Sequence, residues 1–366
     1  MDRICRGAIG RVTQLLWSVR ICLWAIYQTR GTSSLERGQM LKATQNRFGK
    51  PAGTVWDYVS IARPDHAIKH LLIVPGILLA WVLRHDQSVL SPLGAALTLL
   101  ACVLSASANY VINEWLDASF DTHHPSKVKR PCVDKDMKAG YIILEYVALA
   151  ALALCTAAAT APLVVYATTA FLVSGVIYNV PPFRSKDVVL FDVVSESINN
   201  PIRLIFGWAM VDPTTLPPAS ILLAYWLGGA FLMNTKRLAE FRDVAGHASG
   251  DKLHLYRRSF RQYSERRLLF LSFLYAQISL ACAVMFIVKY RIEYVLSVPL
   301  VATLFSIYFY IGLKPRSAAQ TPEKLFTEPL LWIAVIGLTI ALIILTYFNI
   351  PHLESLLNAR FVKISW

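Results

Sequence analysis

Long apolar segments alternate with short polar connections along most of this 366-residue chain. The hydrocarbon core of a bilayer accommodates about 20 apolar residues of one helix, and most of these segments have about that length. The pattern therefore predicts an all-α polytopic membrane protein with about nine transmembrane helices, antiparallel between neighbours in one bundle. The predicted spans cover residues 70–85, 92–113, 139–159, 161–179, 188–211, 219–236, 268–289, 292–313 and 327–349.

Composition and charge agree with this prediction. Hydrophobic residues make up 55% of the chain and charged residues only 16%, whereas about 25% is usual for charged residues in soluble domains. The net charge of +13 is concentrated in the loops that follow the second, fourth, sixth and eighth spans. By the positive-inside rule these loops and the N-terminus are cytoplasmic, as expected for a multi-pass protein of the bacterial cytoplasmic membrane. Topology accounts for the cations without a nucleic-acid partner.

Three regions are predicted along the chain. Residues 1–54 form a basic N-terminal helix and a polar linker, residues 55–350 a transmembrane catalytic domain, and residues 351–366 a C-terminal tail. Apolar positions at helical spacing near the N-terminus indicate a helix lying on anionic lipid. A tenth span is the alternative, but Arg11 and Arg20 would be costly in the bilayer core.

A group of acidic residues lies at the C-terminal end of the second predicted span. Asn113, Asp117 and Asp121 recur every four residues, which places them on one helix face, and Glu114 lies beside them. Oxygen ligands of this kind suit Mg²⁺, so all four are predicted metal ligands. The alternative is a solvated helix end with capping acids.

A basic run follows these acids directly. Four of its side chains are suited to bind the phosphates that Mg²⁺ carries and to stabilise charge on a departing diphosphate. Positive-inside topology alone explains some of these cations. The four residues are His124, Lys127, Lys129 and Arg130.

A second ionisable cluster follows the fourth span. Charged groups at membrane depth usually face a cavity and serve a function, so we expect this cluster to reach the same ligand. A structural pair of Glu196 with Arg203 is the alternative. The predicted metal ligands here are Asp187, Asp192 and Glu196. The predicted substrate contacts are Tyr178, Arg184, Lys186, Asn199 and Arg203, with Lys69, Lys236 and Arg237 from flanking segments.

These motifs resemble the UbiA superfamily of intramembrane prenyltransferases. The pattern N-E-x-x-D-x-x-x-D at Asn113–Asp121 is similar to the family's first Asp-rich motif. "YNVPPFRSKD" at Tyr178–Asp187 resembles the element before the second motif, and "RPDHAIKH" resembles the entry to the first helix. The resemblance covers about residues 55–350. It implies a nine-helix fold that binds a diphosphate through Mg²⁺.

The run "DASFDTHHPSKVKRP" is similar to the branch that makes decaprenylphosphoryl-5-phosphoribose. That resemblance implies transfer of 5-phosphoribosyl from phosphoribosyl pyrophosphate (PRPP) to a polyprenyl phosphate, with diphosphate released. Asp117, Asp121, Lys127 and Arg130 would be the catalytic residues. The chain departs from the family pattern at Glu114, where Asp is usual, and in a second motif that lacks a D-x-x-x-D spacing.

Two other functions remain open. A prenyl group could move from prenyl diphosphate to an aromatic or other lipid-soluble acceptor with the same acids. An ion-coupled transporter is disfavoured because the two halves of the chain show no inverted repeat. The expected partners are a water-soluble diphosphate donor such as PRPP, a lipid-linked substrate and membrane lipids, with a homo-oligomer left open.

Overall fold

The computed structural model describes residues 50–84, 90–122, 127–247, 258–315, 317–320, 322–351 and 353. Within these residues the protein is helical, and the β-structure is an isolated bridge between Ala52 and Asp136. The predicted all-α fold is confirmed. The predicted N-terminal helix, His124 and nearly all of the C-terminal tail lie outside the described residues.

Twelve α-helices and six 3₁₀ segments make up the described fold. The α-helices are α1 Val55–Ile61, α2 Val74–Arg84, α3 Pro92–Asp121, α4 Pro131–Asp134, α5 Ala139–Ala158, α6 Pro162–Asn179, α7 Phe191–Ser197, α8 Asn199–Ala209, α9 Ala219–His247, α10 Glu265–Tyr290, α11 Val298–Leu313 and α12 Pro329–Tyr347. The 3₁₀ segments are Pro64–Ile73, Ser185–Asp187, Arg258–Arg261, Ile292–Ser297, Ala318–Gln320 and Pro322–Thr327.

Each of the nine predicted spans falls on helical structure. Six helices in the described residues are long and apolar enough to cross a membrane: α3, α5, α6, α10, α11 with its preceding 3₁₀ segment, and α12. A seventh crossing results if α1 and α2, with the 3₁₀ segment between them, act as one span bent by 47°. The chain is therefore a multi-pass membrane protein.

The predicted span 188–211 is two helices rather than one. Pro201 lies in the first turn of α8 and has no N–H to donate to the carbonyl of Ser197, four residues earlier. The helical ladder is interrupted at Ile198, which separates α7 from α8. This break leaves Asp192 and Glu196 on a short helix of their own.

The sixth predicted span, 219–236, is also longer in the structure. Helix α9 continues to His247, three turns beyond the apolar segment. Arg237 and Glu240 in this extension form an ion pair with each other at 3.0 Å, so polar side chains are accommodated within the bundle. Apolarity alone therefore placed the end of the helix too early.

Apolar packing divides between two groups of helices. One buried cluster includes Ile73, Phe171 and Phe206 from the α2, α6 and α8 side. The other includes Phe231 and Tyr308 from α9 and α11. On the outside of α12 the large apolar side chains are exposed, among them Ile333, Ile336 and Ile340. A continuous apolar surface of this kind is typical of contact with lipid.

Two glycines bring α2 and α8 into backbone contact. A Cβ added to Gly76 would overlap the carbonyl oxygen of Leu204, and one added to Gly207 would overlap that of Ile73. Small residues at helix crossings allow this close approach in membranes. The contact fixes α8, which continues directly from the second acidic motif.

We predict that Gly76→Ala or Gly207→Ala destabilises the protein by about 1–3 kcal/mol, because the added methyl has backbone on its far side and cannot be accommodated by a rotamer change. Thermal unfolding in detergent measures the effect. Gly337→Ala in α12 is the matched control, since nothing lies within 4 Å of its added Cβ. Equal melting temperatures for all three variants would contradict the close helix contact.

Candidate active site

Acidic and basic side chains from five segments meet at one end of the bundle, which we call the motif end. The segments are the 3₁₀ helix before α2, the C-terminal end of α3 with the loop that follows it, the α6–α7 connection, α7, and the middle of α9. Ion pairs join the first three of these segments to one another, and a further ion pair joins α7 to α9. The predicted convergence of the two ionisable clusters is therefore visible in the contacts.

Asp117 lies between two cations of the α6–α7 connection. Its Oδ1 is 2.9 Å from Nη2 of Arg184 and 2.6 Å from Nζ of Lys186. Lys186 also donates to the side-chain oxygens of Asn113 at 3.1 Å and Asn179 at 2.8 Å. Burial lowers the pKa of Lys186 to about 8, against the opposing effect of Asp117. Lys186 is therefore mainly protonated at neutral pH.

Asp121, one turn further along α3, is held by the basic run that follows it. Arg130 Nη1 donates to Oδ2, and Lys127 Nζ lies 3.4 Å from Oδ1. Asp121 is buried, whereas Lys129 is exposed. Lys127 and Arg130 thus lie against the end of α3, so two of the four predicted basic residues contact the acidic motif.

Glu114 has a different partner from the two aspartates. Nε and Nη2 of Arg63 donate to its Oε2 at 3.2 and 3.0 Å. Arg63 has a left-handed backbone (φ 55°) where α1 gives way to the 3₁₀ segment. The other oxygen of Glu114, Oε1, is buried and has no hydrogen-bond partner among the described residues. Within this part of the chain, Glu114 therefore has one unsatisfied oxygen.

Asp192 is fully buried and ties α7 to the segment before α10. Its Oδ1 accepts from the Tyr263 hydroxyl at 2.6 Å, and its Oδ2 accepts from Ser259 at 3.0 Å. Nε of Arg237 lies 3.7 Å from Oδ2. Ser259 and Tyr263 were not predicted, because the segment that carries them matches no motif. Asp192 is a predicted metal ligand whose two oxygens already accept hydrogen bonds.

Glu196 and Glu240 both contact Arg237, a buried cation of α9. Oε2 of Glu196 accepts from Arg237 Nη2 at 2.6 Å and from the Tyr178 hydroxyl at 2.9 Å. Nη1 of Arg237 donates to Glu240 at 3.0 Å, and Lys236 lies 4.0 Å from Glu240. The structure thus brings together three predicted substrate contacts, Tyr178, Lys236 and Arg237, around Glu196.

Two further predicted residues lie on the edges of this arrangement. Asp187 accepts from Arg184 Nε at 2.9 Å, on the guanidinium that also contacts Asp117. Lys69 Nζ lies 3.1 Å from His66 Nδ1 and 5.1 Å from the centre of the Tyr110 ring. Arg184 is thus a bridge between the two acidic motifs.

Asn199 is the first residue of α8, and Arg203 lies one turn further along this helix. Asn199 Oδ1 accepts from Ser174 at 2.9 Å, and its backbone carbonyl lies 3.4 Å from Nη1 of Arg203. The Arg203 guanidinium stacks over Phe171, 4.9 Å from the ring centre. The predicted alternative, a structural pair of Glu196 with Arg203, is not among the ion pairs of the described residues.

Asp117 and Asp121 suit Mg²⁺ in their chemistry and spacing. In the described part of the chain no three His, Cys, Asp or Glu side chains converge as a ligand cluster. Mg²⁺ often uses only one or two carboxylates and takes its other ligands from water and substrate phosphates. Two carboxylates on one helix face, with the unsatisfied Oε1 of Glu114 nearby, fit a metal that is bound together with a phosphorylated substrate.

The model of the UbiA prenyltransferase family matches residues 73–336, which include both acidic motifs. The chain belongs to this family. Members of this family are transferases, so the chain is a transferase, and its multi-pass architecture agrees with this assignment. A lycopene elongase/hydratase of Haloarcula japonica is 29% identical over 142 residues, which are 37% of this chain and 46% of that relative. The match thus spans about half the length of the relative.

Solved UbiA structures share the fold. A UbiA homolog from Archaeoglobus fulgidus bound to DMAPP and Mg²⁺ has a TM-score of 0.61 at 19% identity, over 80% of this chain and all of that one (100%). The same homolog bound to GPP and Mg²⁺ gives 0.59 at 19% identity, over 79% and 99%. A digeranylgeranylglyceryl phosphate synthase gives 0.54 at 14% identity, over 80% and 98%. At such identities these likenesses show the fold.

We predict that Tyr263→Phe lowers the free energy of unfolding by about 1–3 kcal/mol. The hydroxyl donates to buried Asp192 and accepts from the backbone N–H of Leu190 at 3.0 Å, so its removal leaves both groups short of a partner. Thermal or denaturant unfolding of the purified protein measures the loss. Tyr166→Phe, at an exposed position on α6, is the control. A Tyr263→Phe protein as stable as this control would show that Asp192 does not depend on Tyr263.

Proposed function

We propose that the protein transfers a prenyl group from a prenyl diphosphate to a lipid-soluble acceptor, with Mg²⁺ as cofactor. The observation that carries this proposal is the paired arrangement at the end of α3. Asp117 and Asp121 lie one turn apart, and each contacts two cations from a different segment. Family membership and the ligands of the A. fulgidus homolog support a prenyl diphosphate as the donor.

Asp117 and Asp121 would hold Mg²⁺, with Asn113 and Oε1 of Glu114 as further candidate oxygens. Asp187, Asp192 and Glu196 were predicted as ligands too, and they accept hydrogen bonds from Arg184, Tyr263 and Tyr178 respectively. When bound, Mg²⁺ neutralises charge on the diphosphate oxygens and favours its departure.

The four cations around the aspartates would exchange partners when the donor binds. Lys127, Arg130, Arg184 and Lys186 now contact carboxylates. A diphosphate brings more negative charge than either aspartate, so these side chains would turn towards its oxygens. Preorganised cations at a site of developing negative charge lower the barrier to its formation.

In the reaction the bond between the allylic carbon and the diphosphate oxygen breaks, and its electron pair leaves with the diphosphate. An electron pair of the acceptor forms the new bond to that carbon, and the acceptor then loses a proton to the released diphosphate. Lys127, Arg130, Arg184 and Lys186 stabilise the leaving group in this step. The surrounding apolar bundle excludes water from the allylic cation.

The same site suits a second reaction, transfer of 5-phosphoribosyl from PRPP to a polyprenyl phosphate. The observation in its favour is that Lys127 and Arg130, from the run that resembles the phosphoribosyl branch, both contact Asp121. Mg²⁺ and a diphosphate leaving group are common to both reactions. We further propose that the motif end faces the cytoplasm, where a water-soluble donor is available.

One assay of the purified protein with Mg²⁺ tests the proposal. One mixture contains geranyl or farnesyl diphosphate with a panel of lipid-soluble acceptors, and the other contains PRPP with polyprenyl phosphate. We expect diphosphate release and a prenylated product in the first mixture. Product in the PRPP mixture alone would establish the second reaction instead, and product in neither would contradict both.

Asp117→Asn supplies the matched test of the site within that assay. Loss of a charge-stabilising contact typically costs about 10²–10³ in rate, so turnover should fall at least that far while expression is retained. Asp134→Asn in α4 is the control, since Asp134 is largely exposed and pairs with Lys135. Turnover of Asp117→Asn equal to that of the control would contradict the assignment of Asp117.

A further inference from the structure

Arg203 is a buried cation that has no carboxylate partner among the described residues. Only 5% of its surface is exposed. In the described residues its polar contact is the backbone carbonyl of Asn199, at 3.4 Å from Nη1, and its Nε has no hydrogen-bond partner. The remaining contact is the face of the Phe171 ring. Within the described part of the chain, this guanidinium forms no ion pair.

Three other arginines of the site, two of them buried, are each matched by an acid. Arg63 contacts Glu114, Arg184 contacts Asp117, and Arg237 contacts Glu196, each at 3.0 Å or less. A guanidinium inside a membrane bundle is costly unless an opposite charge lies against it. Among the described residues, the charge of Arg203 is therefore left without an opposite charge, and a bound anion would supply one.

Arg203 lies next to the site but deeper in the bundle. It lies on α8, four residues beyond the first residue of that helix, Asn199, and so about 6 Å along the helix at 1.5 Å per helical residue. Tyr110 is an electrostatic neighbour of both Arg203 and Glu196, which lies at the motif end. His70, Cys102 and Tyr225 are further electrostatic neighbours of Arg203. The guanidinium thus has polar surroundings contributed by three different segments.

We propose that Arg203 binds the anionic head group, a carboxylate or a phosphate, of the lipid-soluble acceptor. This inference rests on the proposed function, since it assigns the second substrate of the same site. The donor's diphosphate is already matched by four cations at the motif end. A lone guanidinium would also disfavour a nearby allylic cation, whereas an anionic acceptor placed against Arg203 neutralises it. The inference holds for either candidate donor.

Ligand-induced thermal stabilisation tests this with small anionic probes in place of the acceptor. The carboxylate probe is 4-hydroxybenzoate, with 4-hydroxybenzamide as its neutral match. The phosphate probe is geranyl phosphate, with geraniol as its neutral match. We expect at least one anionic probe to raise the melting temperature of the wild type and of Arg203→Lys, while its neutral match does not.

Arg203→Gln should lose this stabilisation, and the effective affinity for the anionic probe should fall at least about ten-fold, as is typical when a charged hydrogen-bond partner is removed. Arg242→Gln is the control, because Arg242 is an exposed arginine of α9 that pairs with Glu265. The anionic probe that stabilises the wild type shows whether the head group is a carboxylate or a phosphate. Equal stabilisation of Arg203→Gln and wild type, or no response to either anion, would overturn the inference.

Two further measurements distinguish ligand binding by Arg203 from a structural role and from a failure of the proposed function. Without ligand, Arg203→Gln should be as stable as the wild type or more so, because an unmatched charge is removed. A lower melting temperature together with an unchanged response to the anion would assign Arg203 a structural role and overturn the inference. Inorganic diphosphate with Mg²⁺ should stabilise every variant. Failure of that response in the wild type would count against the proposed function, separately from Arg203.

Discussion

An ionised side chain inside an apolar bundle needs an opposite charge in contact with it, and this requirement organises the motif end. Asp117 is matched by Arg184 and Lys186, Asp121 by Lys127 and Arg130, and Glu196 by Arg237. The pairs of Asp117 and Glu196 connect segments that are far apart in sequence. The acids of α3 thus hold the α6–α7 connection and the loop after α3 at the same place.

The same balance of charge connects the fold with catalysis. The cations that stabilise the two aspartates are also the groups that a diphosphate needs, and the aspartates are the oxygens that Mg²⁺ needs. In the proposed function, binding of a metal–diphosphate pair would exchange one set of contacts for another without leaving these charges unmatched. Arg203 is the exception among the described residues, and we propose that a further ligand matches it.

Much of this arrangement could be predicted from sequence. The apolar segments located nine helical regions, and the four-residue spacing of Asn113, Asp117 and Asp121 placed the acids together. The break between α7 and α8 and the extension of α9 were not predicted. In both cases the span was drawn from apolarity, whereas Pro201 and the buried ion pairs of Arg237 determine the helix ends.

Hydrogen-bond and ion-pair partners that are distant in sequence were also not predicted. Glu114 pairs with Arg63, 51 residues earlier, and Asp192 accepts from Tyr263, 71 residues later. Residue spacing identifies side chains that share a helix face, but it contains no information on which segments pack together. The prediction that Glu114 and Asp192 bind metal came from their helix position alone, and their tertiary contacts give each of them a protein partner.

The central claim is that the acids of α3 bind diphosphate through Mg²⁺. Isothermal titration of inorganic diphosphate into the purified protein, with and without Mg²⁺, tests it most directly. We expect binding to require Mg²⁺ and to be lost in Asp121→Asn. Binding that is equally strong without Mg²⁺, or undiminished in Asp121→Asn, would contradict the account.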